Sequence, residues 1–393
     1  LFDALYGSAA TFRDFARRGL PLRSNYTSGG GTLANNQQLA RDLAADGLTV
    51  ATAATAAALR EPAPVIAFTP ASHDGAPRES GAWGEWLRWS APHGRRGPRV
   101  ELRAATTDGA DGVVRWLAPR DRDVTGWVVE LTTAAGVTTV ELPATADTAT
   151  VPLAGPTRVT VRPRLGPTLL GQPSDTYAFG APHRVLVVDG FDRVLDGSYG
   201  GLAHDGAARV ATAAGGADTV AAAAVTDDGF ALADYPVVIW LVGDDSTADH
   251  TFTAAERAAL DAYVAGGGRA ILSGSEVGFD LGASADGRAW LAALTGAAFA
   301  SDDANANEAR GADTLASVPR FGFGGPTALY REEFPDALTA TGAGRVVLRY
   351  DGDAGAAVGL AGRAALVGFP LEVIDDDSAR AAVVRALIAF VAP

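Results

Sequence analysis

The chain has 393 residues, of which 48% are hydrophobic and 20% charged. This is the composition of a globular protein, and its length predicts two or three domains. The formal net charge of −14 and the lack of any arginine cluster argue against a nucleic-acid partner. The absence of cysteine excludes disulfides, thiolate catalysis and cysteine-zinc sites, and no apolar run reaches the roughly 18 residues of a membrane span.

Residues 1–90 are predicted to be the α/β tail of an upstream domain, followed by a linker. The stretch "TLANNQQLARDLAADGLTVATA" has helical spacing up to Gly47 and then a β-branched strand, and "APVIAFTP" predicts a second strand. The chain begins at Leu1 and contains no methionine. We therefore expect a processed product or a fragment of a longer protein.

The linker, residues 71–97, is rich in glycine, proline and serine and carries Trp83, Trp86 and Trp89. Two interpretations stay open. The tryptophans pack on a neighbouring domain, or they form an aromatic platform for sugar rings, in which case they are ligand-binding residues.

Residues 91–180 are predicted to form an all-β sandwich. Short segments of alternating hydrophobicity follow one another with turn residues between them. The stretch "VRWLAPRDRDVTGWVVELTT", with Trp116 in a core position and Trp127 at a strand entry, resembles a fibronectin type III domain. Arg158 departs from that family, which usually carries a tyrosine there. The resemblance therefore implies the sandwich fold and leaves the packing of this corner open.

Residues 181–393 alternate between apolar strands and helices. "HRVLVVDGF", "YPVVIWLVGDD", "RAILSGS", "RVVLRY" and "RAALVGFP" read as strands, and a helix closes the chain. This order predicts a mostly parallel sheet, layered as in flavodoxin, with helices on both faces. Ligands of such sheets bind at the carboxyl ends of the strands. The side chains predicted at that edge are Asp189, Asp244, Asp245, Ser246, Ser273, Ser275 and Glu276.

The same region resembles the class I glutamine-amidotransferase-like module in the C-terminal part of secreted bacterial proteins labelled cell-wall amidase or xanthan lyase. "VVDGFDR", "GGGRAILSGSEVGFDL" and "GRAALVGFPLEVI" carry the resemblance. Enzymes of that superfamily place a cysteine on the elbow after a central strand and a His-Pro-Glu motif after a late one. Here the elbow falls at Ser273–Ser275, Pro370 stands at the histidine position and Glu372 is kept.

The resemblance therefore implies a pseudoenzyme. Proline cannot activate a nucleophile, and all five histidines precede the elbow. His250 could reach the elbow only from a neighbouring loop, and "SGSEVG" lacks the Gly-x-Ser-x-Gly pattern. We expect no catalytic residue here. Ser273, Ser275 and Glu276 are expected to close the turn and cap the next helix, and Glu372 to tie two strand ends together through backbone N–H groups or the elbow hydroxyls.

No metal and no cofactor are predicted. Asp244, Asp245 and His250 are suitable ligand types at uninformative spacing, so with Asp189 and Ser246 they are candidate ligand-binding residues only. Asp303, Asn305 and Asn307 have calcium-loop spacing, but Thr314 stands where a closing glutamate belongs, which favours a surface loop.

Three hypotheses for function follow. The first is a non-catalytic accessory region of a secreted or cell-surface bacterial protein that binds cell-wall glycan or polysaccharide. The second is a hydrolase on peptidoglycan or polysaccharide with its catalytic domain upstream. The third is a structural, self-associating surface protein, since sandwich domains often act as spacers.

Overall fold

The structure is a computed structural model. It describes residues 22–24, 50–51, 66–68, 100–117, 124–153, 155–167, 170–171, 173–180, 184–191, 203–247 and 250–392. In the N-terminal part, the described segments are the strands β1 (Leu22–Ser24), β2 (Val50–Ala51) and β3 (Ile66–Phe68). They pair in parallel in the order β1-β3-β2, which includes the two strands predicted there. Trp83, Trp86 and Trp89 lie outside the described residues, so both interpretations of the linker stay predictions.

The next part of the chain is a β-sandwich-like region built from antiparallel strands. They are β4 (Glu101–Asp108), β5 (Asp111–Leu117), β6 (Gly126–Thr133), β7 (Gly136–Pro143), β8 (Thr148–Pro152), β9 (Thr157–Arg164) and β10 (Tyr177–Phe179). One sheet has the order β8-β5-β4 and the other β10-β9-β6-β7. Trp116 of the first sheet and Trp127 of the second are both buried, with ring centroids 6.0 Å apart. The predicted core position of Trp116 is confirmed.

Arg158, the departure from the fibronectin pattern, lies on β9. Its guanidinium forms an ion pair with Asp205 across 2.5 Å, and Asp205 also pairs with Arg209 at 2.6 Å. These contacts lower the pKa of the Asp205 carboxyl although burial opposes the effect. The corner is therefore tied to the α/β region by charge.

The α/β region follows. Its helices are α1 (Gly206–Ala213), α2 (Ala222–Thr226), α3 (Ala254–Ala265), α4 (Val277–Gly282), α5 (Ala285–Thr295) and α6 (Asp377–Val391). Its strands are β11 (Val185–Asp189), β12 (Asp218–Ala221), β13 (Val237–Gly243), β14 (Arg269–Gly274), β15 (Ala297–Ser301), β16 (Glu308–Gly311), β17 (Phe321–Gly322), β18 (Ala337–Ala340), β19 (Arg345–Tyr350), β20 (Gly355–Leu360) and β21 (Ala364–Val367).

The centre of this region is a parallel sheet in the order β12-β11-β13-β14-β21. All residues of β11, β12, β13 and β21 are buried, as expected for strands covered on both faces. Residues of α1 and α6 pack on one face, where Leu387 lies, and residues of α2, α3 and α5 on the other, where Leu260 lies. This part of the chain is therefore an α/β region, as predicted.

The flanks of the sheet are antiparallel, so the expectation of a mostly parallel sheet is correct only for the centre. Beside β21 the order continues as β20, β19, β16 and β17. β19, the predicted strand "RVVLRY", is antiparallel because a tight turn joins it directly to β20. Tyr350 donates its N–H to the carbonyl of Ala354 (2.9 Å), and Asp353 has a φ of 65°.

On its other side the sheet runs on into the sandwich-like region. β4 pairs with β12, with Thr219 opposite Ala105 and Val220 opposite Ala104. The sheet therefore crosses the boundary predicted near residue 180. In the part of the chain described here, no helix is both long and apolar enough to cross a bilayer.

Candidate functional site

The strands of the parallel centre end at one edge of the sheet, which collects most of the predicted side chains. Asp189 ends β11, Asp244 and Asp245 follow β13, and Glu372 follows β21. All four carboxyl groups are buried. The sheet thus places at its carboxyl edge the residues that the sequence pattern assigned to it.

The elbow after β14 does not present a nucleophile. Ser273 and Ser275 are both 0% exposed. The Ser273 hydroxyl donates to the carbonyl of Phe369 (3.1 Å) and accepts from the N–H of Leu371 (2.9 Å), while the Ser275 hydroxyl donates to the carbonyl of Gly243 (3.3 Å). The serines thus join neighbouring strand ends.

The expectation that elbow side chains cap the next helix is wrong. α4 begins after Glu276 without a side-chain cap. The Glu276 carboxylate instead accepts a hydrogen bond of 2.8 Å from the hydroxyl of Ser246, another predicted site residue. By contrast, α3 begins with the capping box that the three-residue spacing of Thr253 and Glu256 predicts.

Glu372 has a side-chain partner that was not predicted, in addition to a backbone N–H of the kind that was. It is 1% exposed, and its Oε1 accepts from the hydroxyl of Tyr330 at 2.9 Å, not from Ser273 or Ser275. Its Oε2 has no hydrogen-bond partner among the described residues. Burial raises the pKa of the Glu372 carboxyl to about 7.

His250, the remaining predicted residue, lies next to Asp280. Its Nδ1 is 3.9 Å from Asp280 Oδ1, and the imidazole side chain is 70% exposed. The loop with calcium-like spacing contains a hydrogen bond of its own, from the N–H of Asn305 to Asp303 Oδ1 at 2.7 Å.

A buried His-Asp-Asp group, which the sequence analysis missed, adjoins this edge. His204 Nε2 lies 3.7 Å from Asp175 Oδ1 and 4.0 Å from Asp189 Oδ2, and one possible ligand atom of each residue lies within 4.8 Å of the others. Asp175 precedes β10, and His204 precedes α1. Of these three residues only Asp189 could be predicted from the sequence. Asp175 lies 29 residues from His204, on the other side of the predicted domain boundary. No spacing motif links them.

A further buried acid, Glu332, lies near Asp244 and the elbow residue Ser275. Glu332 accepts from the N–H of Phe334 (3.0 Å), and burial, together with the charge of Asp244, raises the pKa of its carboxyl to about 8. Burial and the charge of Glu372 raise the pKa of the Tyr330 hydroxyl well above its usual value. The edge is thus a buried, acidic, hydrogen-bonded network.

The chain thus combines a β-sandwich-like region with an α/β region, and a buried cluster of polar side chains lies where the two regions meet. No protein-family model and no curated protein match it. Among solved structures, a glutamine amidotransferase from Methylobacillus flagellatus is 13% identical over 49% of this chain and 71% of its own, with a TM-score of 0.28. A two-domain fibronectin type III segment of chicken tenascin is 13% identical over 22% of this chain and 49% of its own, with a TM-score of 0.19.

A third similar structure is the spore cortex lytic enzyme SleM of Clostridium perfringens. It is 17% identical over 21% of this chain, with a TM-score of 0.17. The chain spans 27% of the length of that enzyme and 49% of the tenascin segment. All three similarities are weak.

Proposed function

We propose that this chain is a non-catalytic accessory region of a secreted or cell-surface bacterial protein and positions or binds that protein at a cell wall or polysaccharide. The observation that supports it best is the state of the elbow. A serine nucleophile needs an exposed hydroxyl and a base that takes its proton. Ser273 offers a buried hydroxyl whose donor and acceptor positions are both used by backbone groups.

The residue that would have to serve as base also supports this proposal. Pro370 has no titratable nitrogen. The retained acid, Glu372, accepts from Tyr330 rather than orienting an imidazole on the elbow. The side chains at the elbow and Glu372 thus make hydrogen bonds that join strand ends, and they do not form the nucleophile-and-base arrangement of an enzyme.

The resemblance of the sequence to cell-wall modules supports a glycan as ligand. With a net charge of −14, the chain is suited to a neutral polysaccharide better than to an acidic one. The contacts would come from Trp83, Trp86 and Trp89 of the linker, since aromatic rings stack on the apolar faces of sugars.

Sedimentation of the full chain with insoluble peptidoglycan or polysaccharide tests the proposal. We expect saturable binding that salt alters little and that the triple variant Trp83→Ala/Trp86→Ala/Trp89→Ala weakens. Phe334→Ala, which removes a half-exposed aromatic ring elsewhere, is the matched control and should bind like the wild type. Absence of binding to every glycan would overturn the proposal.

Catalysis is tested on the same preparations. Zymograms on cell walls and assays with glutamine and activated esters should show no turnover by the full chain. Turnover that Ser273→Ala or Ser275→Ala abolishes would replace this proposal with a hydrolase. Concentration-dependent self-assembly without glycan binding would favour the structural role.

A further inference from the structure

The His-Asp-Asp group has the geometry of a metal site. The distances from His204 Nε2 to the two carboxylate oxygens, 3.7 and 4.0 Å, are longer than those of hydrogen bonds. Ligands about 2.0–2.2 Å from a shared ion lie about 3.4 Å apart in a tetrahedral site and up to about 4.2 Å apart in an octahedral one. The three ligand atoms lie within 4.8 Å of one another, so side-chain adjustments of up to about 1 Å would bring all three onto one ion.

Backbone hydrogen bonds hold the three residues in place. The N–H of His204 donates to Asp175 Oδ1 at 2.9 Å, and the N–H of Thr176 donates to the carbonyl of His204 at 2.9 Å. Asp189 is the last residue of β11, a fully buried central strand. Ligands fixed on rigid elements are what a metal site requires.

Glu372 is an independent observation that points to a ligand. Its Oε2 is buried and has no hydrogen-bond partner among the residues described, which costs free energy unless something else occupies that position. The side chain passes the start of α1: a Cβ added to Gly206 would lie 3.1 Å from Glu372 Cγ and 3.6 Å from His204 Nδ1. The same position therefore contacts both side chains, which places Glu372 beside His204.

We propose that Asp175, Asp189 and His204 bind a divalent transition-metal ion, with Glu372 beside them as the outer acidic partner. An imidazole nitrogen together with carboxylate oxygens suits Zn²⁺ or Mn²⁺. Ca²⁺ takes six to eight oxygen ligands, and Mg²⁺ retains several waters, so neither fits a buried mixed group. The ligands are nearly closed off from solvent, as in structural sites.

Such an ion would join the two described regions. Asp175 belongs to the segment that leads into β10 of the sandwich-like region, whereas Asp189 and His204 belong to the α/β region. A metal bound by both adds its binding free energy to the stability of the folded chain. This site is independent of the proposed glycan-binding role and uses residues outside the elbow.

The test uses the full chain, stripped with EDTA and then titrated with Zn²⁺ or Mn²⁺ alone. We expect one equivalent of metal per chain by calorimetry and elemental analysis, and a rise of several degrees in Tm. His204→Gln and Asp189→Asn should each weaken metal binding at least about 100-fold. Tyr330→Phe, which removes the hydrogen bond that holds Glu372, should weaken it about tenfold. Far-UV circular dichroism checks that each variant is folded.

His250→Gln is the matched control, because His250 also lies beside a carboxylate but is exposed. It should bind metal like the wild type. No saturable binding, or equal binding by His204→Gln and the wild type, would overturn the proposal. If the variants do not fold, anomalous diffraction from wild-type crystals grown with Zn²⁺ decides: a peak among Asp175, Asp189 and His204 supports the site, and a peak elsewhere or none refutes it.

Discussion

The hydroxyl of Tyr330 donates a hydrogen bond of 2.9 Å to the carboxylate of Glu372, and both side chains are buried. Tyr330 also stacks on Phe191, with ring centroids 5.5 Å apart, and Phe191 in turn contacts the His204 ring at 5.2 Å. Tyr330 thus binds Glu372, which follows the last parallel strand, through its hydroxyl, and its ring connects through Phe191 to the imidazole of His204.

Tyr330→Phe should lower the free energy of unfolding by about 1.5–3 kcal/mol, because it removes a hydrogen bond to an acid that has no other side-chain partner described. The ring stack with Phe191 is kept. Urea unfolding of Tyr330→Phe, Glu372→Ala and the double variant measures the coupling between the two residues. Strictly additive losses would show that the bond contributes nothing.

Glu332 predicts a pH dependence of stability. Burial raises the pKa of its carboxyl in the folded chain to about 8, above the 4.5 of an ordinary glutamate. The folded chain therefore binds this proton more tightly than the unfolded chain does. The resulting contribution of Glu332 to the free energy of unfolding is fully present below about pH 4.5 and is lost as the pH rises through about 8. The change over this window is on the order of 5 kcal/mol.

Urea unfolding at pH 5, 6.5 and 8 measures this effect. Glu332→Gln should reduce the loss of stability across that window, because the amide stays neutral, and the remaining slope comes from Glu372, whose pKa is raised to about 7. Glu333→Gln, at the neighbouring and more exposed position, is the control and should follow the wild type. The same slope in both variants would mean that other groups cause the pH dependence.

Ser273→Ala should lower the free energy of unfolding by about 1–3 kcal/mol, because it leaves the buried N–H of Leu371 and the carbonyl of Phe369 without this partner. Chemical denaturation provides the measurement, with Ser301→Ala, at an exposed strand end, as the control. Glycan binding should be unchanged. A variant as stable as the wild type would remove the evidence for a structural elbow.

Sequence patterns predicted the features that are local or periodic. The run "PVVIWLV" is apolar along its whole length because β13 is buried on both faces, and Thr253 with Glu256 forms a cap three residues apart. Asp189, Asp244 and Asp245 could be assigned to one edge because parallel strands end there.

Long-range pairings left no such pattern. Nothing in "ELRAATTD" shows that β4 pairs with β12, since an edge strand of a sandwich and an inner strand of a longer sheet alternate in the same way. The Tyr330–Glu372 bond and the Asp175–His204 contact depend on the path of loops, where single polar residues carry no period.

Asp218 is the first residue of β12, the strand that pairs with β4. This buried aspartate accepts hydrogen bonds from the N–H (3.0 Å) and hydroxyl (2.8 Å) of Thr107 on β4, and from the hydroxyl of Tyr235 (2.7 Å). Asp218→Ala would leave these donors buried without their acceptor, which should cost at least about 3 kcal/mol. Since the lost bonds join two regions, limited proteolysis should also accelerate near residues 178–183.

Calorimetry and proteolysis together test this prediction. The wild type should unfold these regions in one transition, and Asp218→Ala should lower its temperature or split it in two. Asp234→Ala, an exposed position in the same part of the chain, is the control and should leave both readouts unchanged. If Asp218→Ala left the transition and the cleavage rate as in the wild type, the β4–β12 junction would not couple the two regions.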